Sequence, residues 1–311
     1  MKINISEISF PSSDGIHTVY GQIYSPVGTE PRGILQIAHG MTDHIERYRA
    51  LAEALCENGY ILAGHCHLGH GKTAVSSDEL GFFAERGGAD LVVRDMHGMN
   101  LLLKEKFPSL PIAVMGHSMG SFISRLYVSE YPNDVKGLII HATGGPNKVV
   151  SLGKLLVGAM SVFKGKRYRS RFIRSLASKG YNSKFAGEDG INAWLTRDKE
   201  KANEKLTDPY GSFTFTLSAY NDLFTLVKRS NSDGWFKNYP KDMPTLIVSG
   251  DMDPVGGFGR GVRTVYNRLL KNGHGALALK IYEGARHELF NEINKDEIFG
   301  DIISWLSEVL S

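Results

Sequence analysis

Short apolar segments alternate with longer helical patterns along most of this chain, and this alternation constrains the fold more than any other feature. Six of the segments end in glycine or a polar residue, and they occupy residues 33–40, 60–67, 111–118, 136–143, 244–251 and 277–284. Such runs are typical of strands buried in a parallel sheet. Amphipathic helical patterns lie between several of them, at residues 48–58, 89–107 and 118–131. With two further strand candidates at residues 3–10 and 18–24, the order predicts a doubly wound α/β sheet.

The alternation breaks between the segment that ends near Thr143 and the one that begins near Thr245. Unstructured loops of that length are uncommon in compact domains, and the apolar spacing over residues 152–163 is typical of a helix. We therefore expect residues 146–239 to form an inserted helical cap. The α/β core is then formed by residues 1–145 and 240–311.

Charge is unevenly distributed along the chain. The net charge is only +3, but residues 135–187 contain eleven Lys or Arg and no acid. An otherwise acidic body disfavours a protein that binds nucleic acid along its whole length. Within the basic block, residues 155–163 are mostly apolar and lie between Lys154 and Lys164. This pattern favours peripheral contact with an anionic membrane or, equally, an apolar helix face that closes a pocket beside a solvated basic helix.

The chain has the features of a cytoplasmic protein. Its two cysteines, Cys56 and Cys66, cannot form a disulfide framework, which favours a reducing compartment. The N-terminus alternates polar and apolar residues and lacks the continuous apolar core of a signal peptide. The longest stretch without charge, residues 107–124, contains two prolines and several polar groups, so we expect no segment that spans a bilayer. The oligomeric state stays open.

A candidate nucleophile lies where the third apolar run meets a helical pattern. Gly116, Ser118 and Gly120 form the motif Gly-x-Ser-x-Gly, which by itself is short enough to arise by chance. At a tight turn between a strand and a helix, however, the serine hydroxyl is exposed at the sheet edge, and the glycines let other backbone approach. The alternative is an ordinary glycine-rich turn in which Ser118 only caps the helix.

A serine nucleophile needs a base, and the base needs an orienting carboxylate. Two acids, Asp251 and Asp253, follow the seventh predicted strand, and His287 follows the eighth. Either acid could reach the imidazole, and we favour Asp253. His274 competes with His287 for the role of base but precedes the last strand. The order Ser118, Asp253, His287 is the order of catalytic groups in one large class of hydrolytic sheets.

The alkoxide formed by serine attack requires preorganised backbone donors. These are commonly the amide after the nucleophile and one from the loop after an earlier strand. We therefore predict an oxyanion hole formed by the amides of Met119 and Met41.

A family resemblance runs through nearly the whole chain. It is carried by residues 39–48, 69–71, 116–120 and 253–255 with His287, and by the cap segments 208–210 and 213–216. Together they resemble the monoacylglycerol lipase and lysophospholipase branch of the α/β-hydrolases, also described as serine aminopeptidase S33-like. The resemblance implies the α/β-hydrolase fold, with a mostly parallel eight-stranded sheet, helices on both faces and an inserted cap. It also implies esterase chemistry on acyl glycerol or related lipids, without a cofactor.

The leading prediction is a serine carboxylester hydrolase that acts on a small amphiphilic acyl ester, such as a monoacylglycerol or a lysophospholipid, through an acyl-enzyme on Ser118. A serine aminopeptidase of the proline iminopeptidase kind is the enzymatic alternative. It requires a carboxylate for the substrate amino group, and the candidates are Glu188, Asp189, Asp198, Glu200, Glu204 and Asp208. A non-catalytic ligand-binding protein is the third possibility, which the ordered triad disfavours.

Residues 65–70 contain a cluster that could suggest a metal site, with His65, Cys66, His67 and His70. Strand alternation places His65 and His67 on the face opposite Cys66, whereas zinc needs three or four convergent ligands. We expect a polar turn that supports the loop at His39, and no metal.

Overall fold

A computed structural model describes residues 3–147, 149–185, 187 and 190–311. Its centre is an eight-stranded sheet in the order β1-β2-β4-β3-β5-β6-β7-β8. The strands are β1 Ile3–Pro11, β2 Thr18–Pro26, β3 Gly33–Ala38, β4 Tyr60–His65, β5 Ile112–His117, β6 Gly137–His141, β7 Thr245–Gly250 and β8 Leu277–Tyr282. The β1–β2 and β2–β4 pairs are antiparallel, and all other neighbouring strands are parallel.

The apolar runs form the interior of this sheet. Every residue of the five strands from β3 to β7 is buried, as expected for parallel strands covered on both faces. Each of the eight predicted strands is present, and the predicted α/β-hydrolase fold is confirmed.

The helices are α1 Arg49–Glu57, α2 Gly88–Lys106, α3 Met119–Glu130, α4 Val149–Lys164, α5 Arg171–Ala177, α6 Lys199–Thr207, α7 Leu217–Ser230, α8 Asp233–Asn238, α9 Arg260–Lys271 and α10 Lys295–Val309. The apolar stripes of α1 and α10 cover one face of the sheet. The stripes of α2, α3 and α9 cover the other face, so the core is a three-layer sandwich. Met96 and Met99 of α2 are fully buried there.

Helices α4 to α8 lie between β6 and β7, in the part of the chain predicted to form the cap. Helix α7 packs against α2, α3 and α4, so it connects this segment to the core. No helix in the described ranges is long and apolar enough to cross a membrane.

Asp222 of α7 meets the first turn of α2. Its carboxylate accepts a hydrogen bond from the amide of Ala89, and it lies so close to Gly88 that a Cβ there would overlap it. A carboxylate at a helix N-terminus is normally stabilised as an anion. Here burial outweighs both the Ala89 bond and the attraction of Lys154, and it raises the pKa of Asp222 to about 7.

This shift predicts a specific dependence of stability on pH. The unfolded chain releases the Asp222 proton near the ordinary pKa of 3.8, whereas the folded chain keeps it until about pH 7. The contribution of Asp222 to stability is therefore complete below pH 3.8 and is lost as the pH rises through about 7. We expect Asp222→Asn to be more stable than the wild type at pH 8, by about 1–3 kcal/mol.

Thermal unfolding of both proteins at pH 5 and pH 8 checks this. The difference in Tm should be larger at pH 8, and an equal difference at the two pH values would contradict the prediction.

Candidate active site

Ser118 stands at the turn between β5 and α3 with an unusual backbone conformation, φ 52° and ψ −115°. A non-glycine residue at positive φ is strained and persists only where its surroundings enforce it. The two flanking glycines show what enforces it. A Cβ at Gly120 would overlap the carbonyl of Ala38 at the end of β3, and one at Gly116 would overlap the carbonyl of Gly120. The turn is therefore compressed against the neighbouring strand, and the Ser118 side chain is directed out of the sheet.

Three side chains from three strand ends meet at this turn. The Nε2 of His287 lies 2.9 Å from the Oγ of Ser118, and its Nδ1 lies 3.0 Å from the Oδ1 of Asp253. The same Oδ1 accepts the amide of Val255 at 2.8 Å. His287 and Asp253 are buried, whereas Ser118 is partly exposed. This geometry is that of a nucleophile, a base and an orienting carboxylate.

The competing acid and the competing histidine are both engaged elsewhere. Asp251 accepts the amide of Gly284 at 2.7 Å, which ties the end of β7 to the turn after β8. The ring nitrogens of His274 lie 3.2 Å from the carbonyl of Pro240 and 3.1 Å from that of Phe236. Neither residue joins the cluster around Ser118.

Met41 and Met119, the predicted oxyanion residues, line one cavity together with Ser118 and His287. The loop of Met41 comes close to the nucleophile, because a Cβ at Gly40 would lie 3.3 Å from the Cβ of Ser118. Met119 begins α3, whose N-terminal amides carry partial positive charge. Backbone donors are thus concentrated where an oxyanion would form.

The cavity at this site has a volume of about 760 Å³. Its wall combines parts of the core with residues of the predicted cap segment and is largely apolar, as is common for small-molecule pockets. Its apolar lining includes Phe122, Ile173, Phe213, Phe215, Leu223, Phe224 and Val227.

The histidine-rich turn after β4 contacts the loop that contains His39 and Met41. The Nε2 of His39 accepts the amide of His67 at 3.0 Å, and its Nδ1 lies 2.8 Å from the carbonyl of Gly40. Burial holds the pKa of both histidines well below the usual range, so the rings are neutral. The turn thus supports the His39 loop, as predicted. Within the described ranges, no group of His, Cys, Asp and Glu is arranged to hold a metal ion.

A buried ionic cluster beside His287 was missed in the sequence. Glu288 pairs with Arg47 of the core at 2.7 Å and with Lys205 of α6 at 2.9 Å, and Arg47 also pairs with Asp43 at 3.0 Å. The i, i+4 spacing of Asp43 and Arg47 was a usable signal for one pair. The partners in the cap and beside His287 are too distant in the chain for any local pattern to reveal.

The predicted cap segment also contacts His287 directly. The ring of Trp194 packs on its imidazole with a centroid separation of 5.0 Å, and the carbonyl of Trp194 accepts the His287 amide at 3.4 Å. The Oδ1 of Asn182 in turn accepts the Trp194 amide at 3.1 Å. The ring of His287 is therefore covered by a segment of the predicted cap, and the backbone amide of His287 helps to hold that segment.

The sheet order and the Ser118 turn identify a serine hydrolase of the α/β-hydrolase class. More specifically, the chain belongs to the family described as serine aminopeptidase, S33, whose sequence model matches residues 29–294. The family and the enzyme class predicted from sequence are thereby confirmed.

Curated relatives and solved structures agree with this assignment. The chain is 26% identical to the monoacylglycerol lipase of Mycolicibacterium smegmatis, over 97% of this chain and 96% of that protein. It is 29% identical to the monoglyceride lipase of Rattus norvegicus, over 95% and 88% of the two chains. It is also similar to a thermostable carboxyl esterase from Bacillus coagulans, solved in complex with glycerol, with a TM-score of 0.92, 29% identity and 99% coverage of both chains.

The two acids after β7 provide a matched test of the site. Asp253→Asn removes the carboxylate that orients His287, and we expect kcat to fall about 10³- to 10⁴-fold. Asp251 lies outside the Ser118 cluster, and Asp251→Asn keeps an acceptor for the Gly284 amide. We therefore expect this variant to have a kcat within about threefold of the wild type. Hydrolysis of p-nitrophenyl butyrate measures both. Equal losses in the two variants would contradict the assignment of Asp253.

Proposed function

We propose that this chain hydrolyses small amphiphilic carboxylic esters of the monoacylglycerol kind, with residues 146–239 as its cap. The observation that carries the proposal is the Ser118–His287–Asp253 cluster opening into a largely apolar cavity. Ser118 attacks the ester carbonyl while His287 takes its proton, and the amides of Met41 and Met119 stabilise the oxyanion. His287 then protonates the leaving alcohol. Water, activated by the same imidazole, releases the acid and regenerates Ser118.

The names of the relatives support this substrate class. Two full-length relatives are a monoacylglycerol lipase and a monoglyceride lipase, and the similar esterase structure contains glycerol. In an apolar cavity, each added methylene of the acyl chain contributes up to about 0.8 kcal/mol, close to fourfold in kcat/KM, until the cavity is full.

The contacts of the cap acids disfavour the aminopeptidase alternative. Among the described residues, Glu288 is the only carboxylate on the cavity wall, and two cations already neutralise it. Asp198 caps α6, Glu204 pairs with Lys201, and Asp208 pairs with His44. Glu200 is exposed on α6, while Glu188 and Asp189 lie outside the described residues. No described acid is thus free in the cavity to receive an amino terminus.

A substrate panel tests the proposal. Purified protein is assayed on p-nitrophenyl esters, monoacylglycerols, lysophospholipids and aminoacyl arylamides, with Ser118→Ala as control. We expect turnover of the esters and a loss of at least about 10³-fold in Ser118→Ala, because the nucleophile is removed. Turnover that survives in Ser118→Ala would refute the mechanism, and turnover of arylamides alone would refute the ester substrate.

We also propose that α4 brings the cap into peripheral contact with anionic membranes. One face of this helix lines the cavity through Val149, Val150 and Gly153. The same helix packs against the core through the buried Val157. Other apolar side chains of α4 face solvent, and Leu155, Val162 and Phe163 are each exposed by 71–86%. Apolar side chains beside lysines are typical of helices that lie in a membrane interface.

Much of the basic block serves a different purpose. Lys166 and Arg169 donate to backbone carbonyls of the core loop 78–85, and Arg167 stacks on the ring of Phe82 in that loop. Lys164 and Arg171 are exposed, and they lie near the outer apolar side chains in the sequence. They are the cations that we assign to lipid headgroups, each contributing about 1 kcal/mol near an anionic surface.

Vesicle sedimentation tests the membrane contact. Phe163→Asp should weaken binding to vesicles that contain phosphatidylglycerol by about 10-fold or more, because it removes an exposed aromatic side chain that would enter the membrane interface. Val75→Asp is the matched control, since Val75 is 77% exposed on the core. Binding of the wild type that is independent of both anionic lipid and salt would contradict the proposal.

A further inference from the structure

Glu288 is a buried carboxylate that sits next to the proposed base in the chain. Its two oxygens accept a two-point contact from Arg47, at 3.1 and 2.7 Å, a bond from the Lys205 ammonium at 2.9 Å and one from the Asn291 amide at 2.8 Å. Its backbone amide donates to the carbonyl of Leu195 in the cap at 2.7 Å. The residue is thus fixed through side chain and backbone at once, and this restricts the backbone that carries His287.

The same cluster reaches the oxyanion loop. Arg47 donates to the Oδ1 of Asp43 at 3.0 Å. The Oδ2 of Asp43 accepts the Tyr48 hydroxyl at 2.8 Å and the amide of Gly40 at 3.3 Å. Gly40 directly precedes Met41, whose amide is a proposed oxyanion donor. Arg47 therefore bridges the loop that would bind the oxyanion to the loop that carries the base.

Lys205 brings the cap into this cluster. It lies on α6, is only 8% exposed, and lines the cavity together with Glu288. In this cluster, two cations, Lys205 and Arg47, balance two anions, Glu288 and Asp43. Burial opposes ionisation of both acids, but the neighbouring cations hold the pKa of each carboxyl well below its usual range. Both carboxylates are therefore ionised at neutral pH.

We propose that Glu288 is a positioning residue that aligns His287 with the oxyanion loop through Arg47, and that Lys205 makes this alignment depend on a seated cap. The inference rests on the proposed roles of Ser118, His287 and Met41. When the Lys205 ammonium is moved away or substituted, Glu288 and Asp43 compete for the single guanidinium of Arg47. The Met41 loop and the His287 loop then lose their fixed separation. Misplacement of catalytic groups by about 1 Å can cost up to about 100-fold in rate.

The test uses three variants on one helix. Lys205→Met removes the charge and keeps the length of the side chain, and Lys205→Arg restores the charge. Lys201→Met is the matched control, since Lys201 lies one turn earlier on α6 and pairs with Glu204 at the surface. We expect Lys205→Met to lower kcat about 10- to 100-fold on p-nitrophenyl butyrate, with KM changed less than about threefold because the alignment acts on the transition state. Lys205→Arg should recover most of kcat, and Lys201→Met should match the wild type.

A mutant cycle identifies the partner. If Lys205 acts through Glu288, the double variant Lys205→Met/Glu288→Gln should lose no more than the worse single variant. Additive losses would overturn the proposal. So would a rise in KM alone, which indicates direct contact with substrate, or a Lys205→Met loss that Lys205→Arg does not restore.

Labelling with a fluorophosphonate separates this inference from the proposed function. A wild-type protein that is not labelled at Ser118 would refute the proposed function itself. Labelling of the wild type, with Lys205→Met labelled as fast as Lys201→Met, would refute only the positioning role.

Discussion

The candidate active site depends on one close approach between backbones. The turn at Ser118 can present its hydroxyl only because Gly120 packs directly on the carbonyl of Ala38 at the end of β3. The same contact brings the Met41 loop beside the start of α3, so the strain at Ser118, with φ 52°, and the clustering of backbone donors have one cause. The energetic cost of this strain, of order 1–3 kcal/mol, is met by a sheet whose central strands are fully buried. Packing at this turn therefore requires glycine at position 120.

Local patterns in the sequence were sufficient for the sheet and for the position of each catalytic candidate along it. Parallel strands end at one edge, so a serine, an acid and a histidine that each follow a strand are expected to converge. The same pattern does not separate Asp251 from Asp253, because both follow β7 within three residues. The choice depends on the turn itself, in which Asp251 accepts the Gly284 amide and Asp253 reaches His287.

Long-range ionic contacts could not be predicted in the same way. Glu288 is bonded to Arg47, 241 positions away, and to Lys205, 83 positions away, and neither spacing follows a helical or strand period. The buried Arg125 of α3 is a second example. It donates to the carbonyl of Ser230 at the end of α7 and stacks on Trp235 of α8, and burial lowers its pKa to about 9. In both cases a buried polar group of the core is contacted by residues of the predicted cap segment, which lie far from it in the chain.

These contacts also explain why a basic cap lies on an acidic body. Polar contacts attach the cap to the core at many points: Lys166 and Arg169 bind carbonyls of loop 78–85, His44 pairs with Asp208, and Lys205 pairs with Glu288. A purely apolar interface would stabilise the cap in proportion to its buried area. Buried ion pairs also fix the orientation of the cap, because a buried charge that loses its partner is destabilising. A substrate that displaces or reorders the cap must therefore leave the Lys205 contact intact for His287 to remain aligned. In the proposed scheme, cap position and catalytic competence are linked through a few specific bonds. The net charge of +3 conceals a basic segment of which Lys166, Arg167 and Arg169 contact the core.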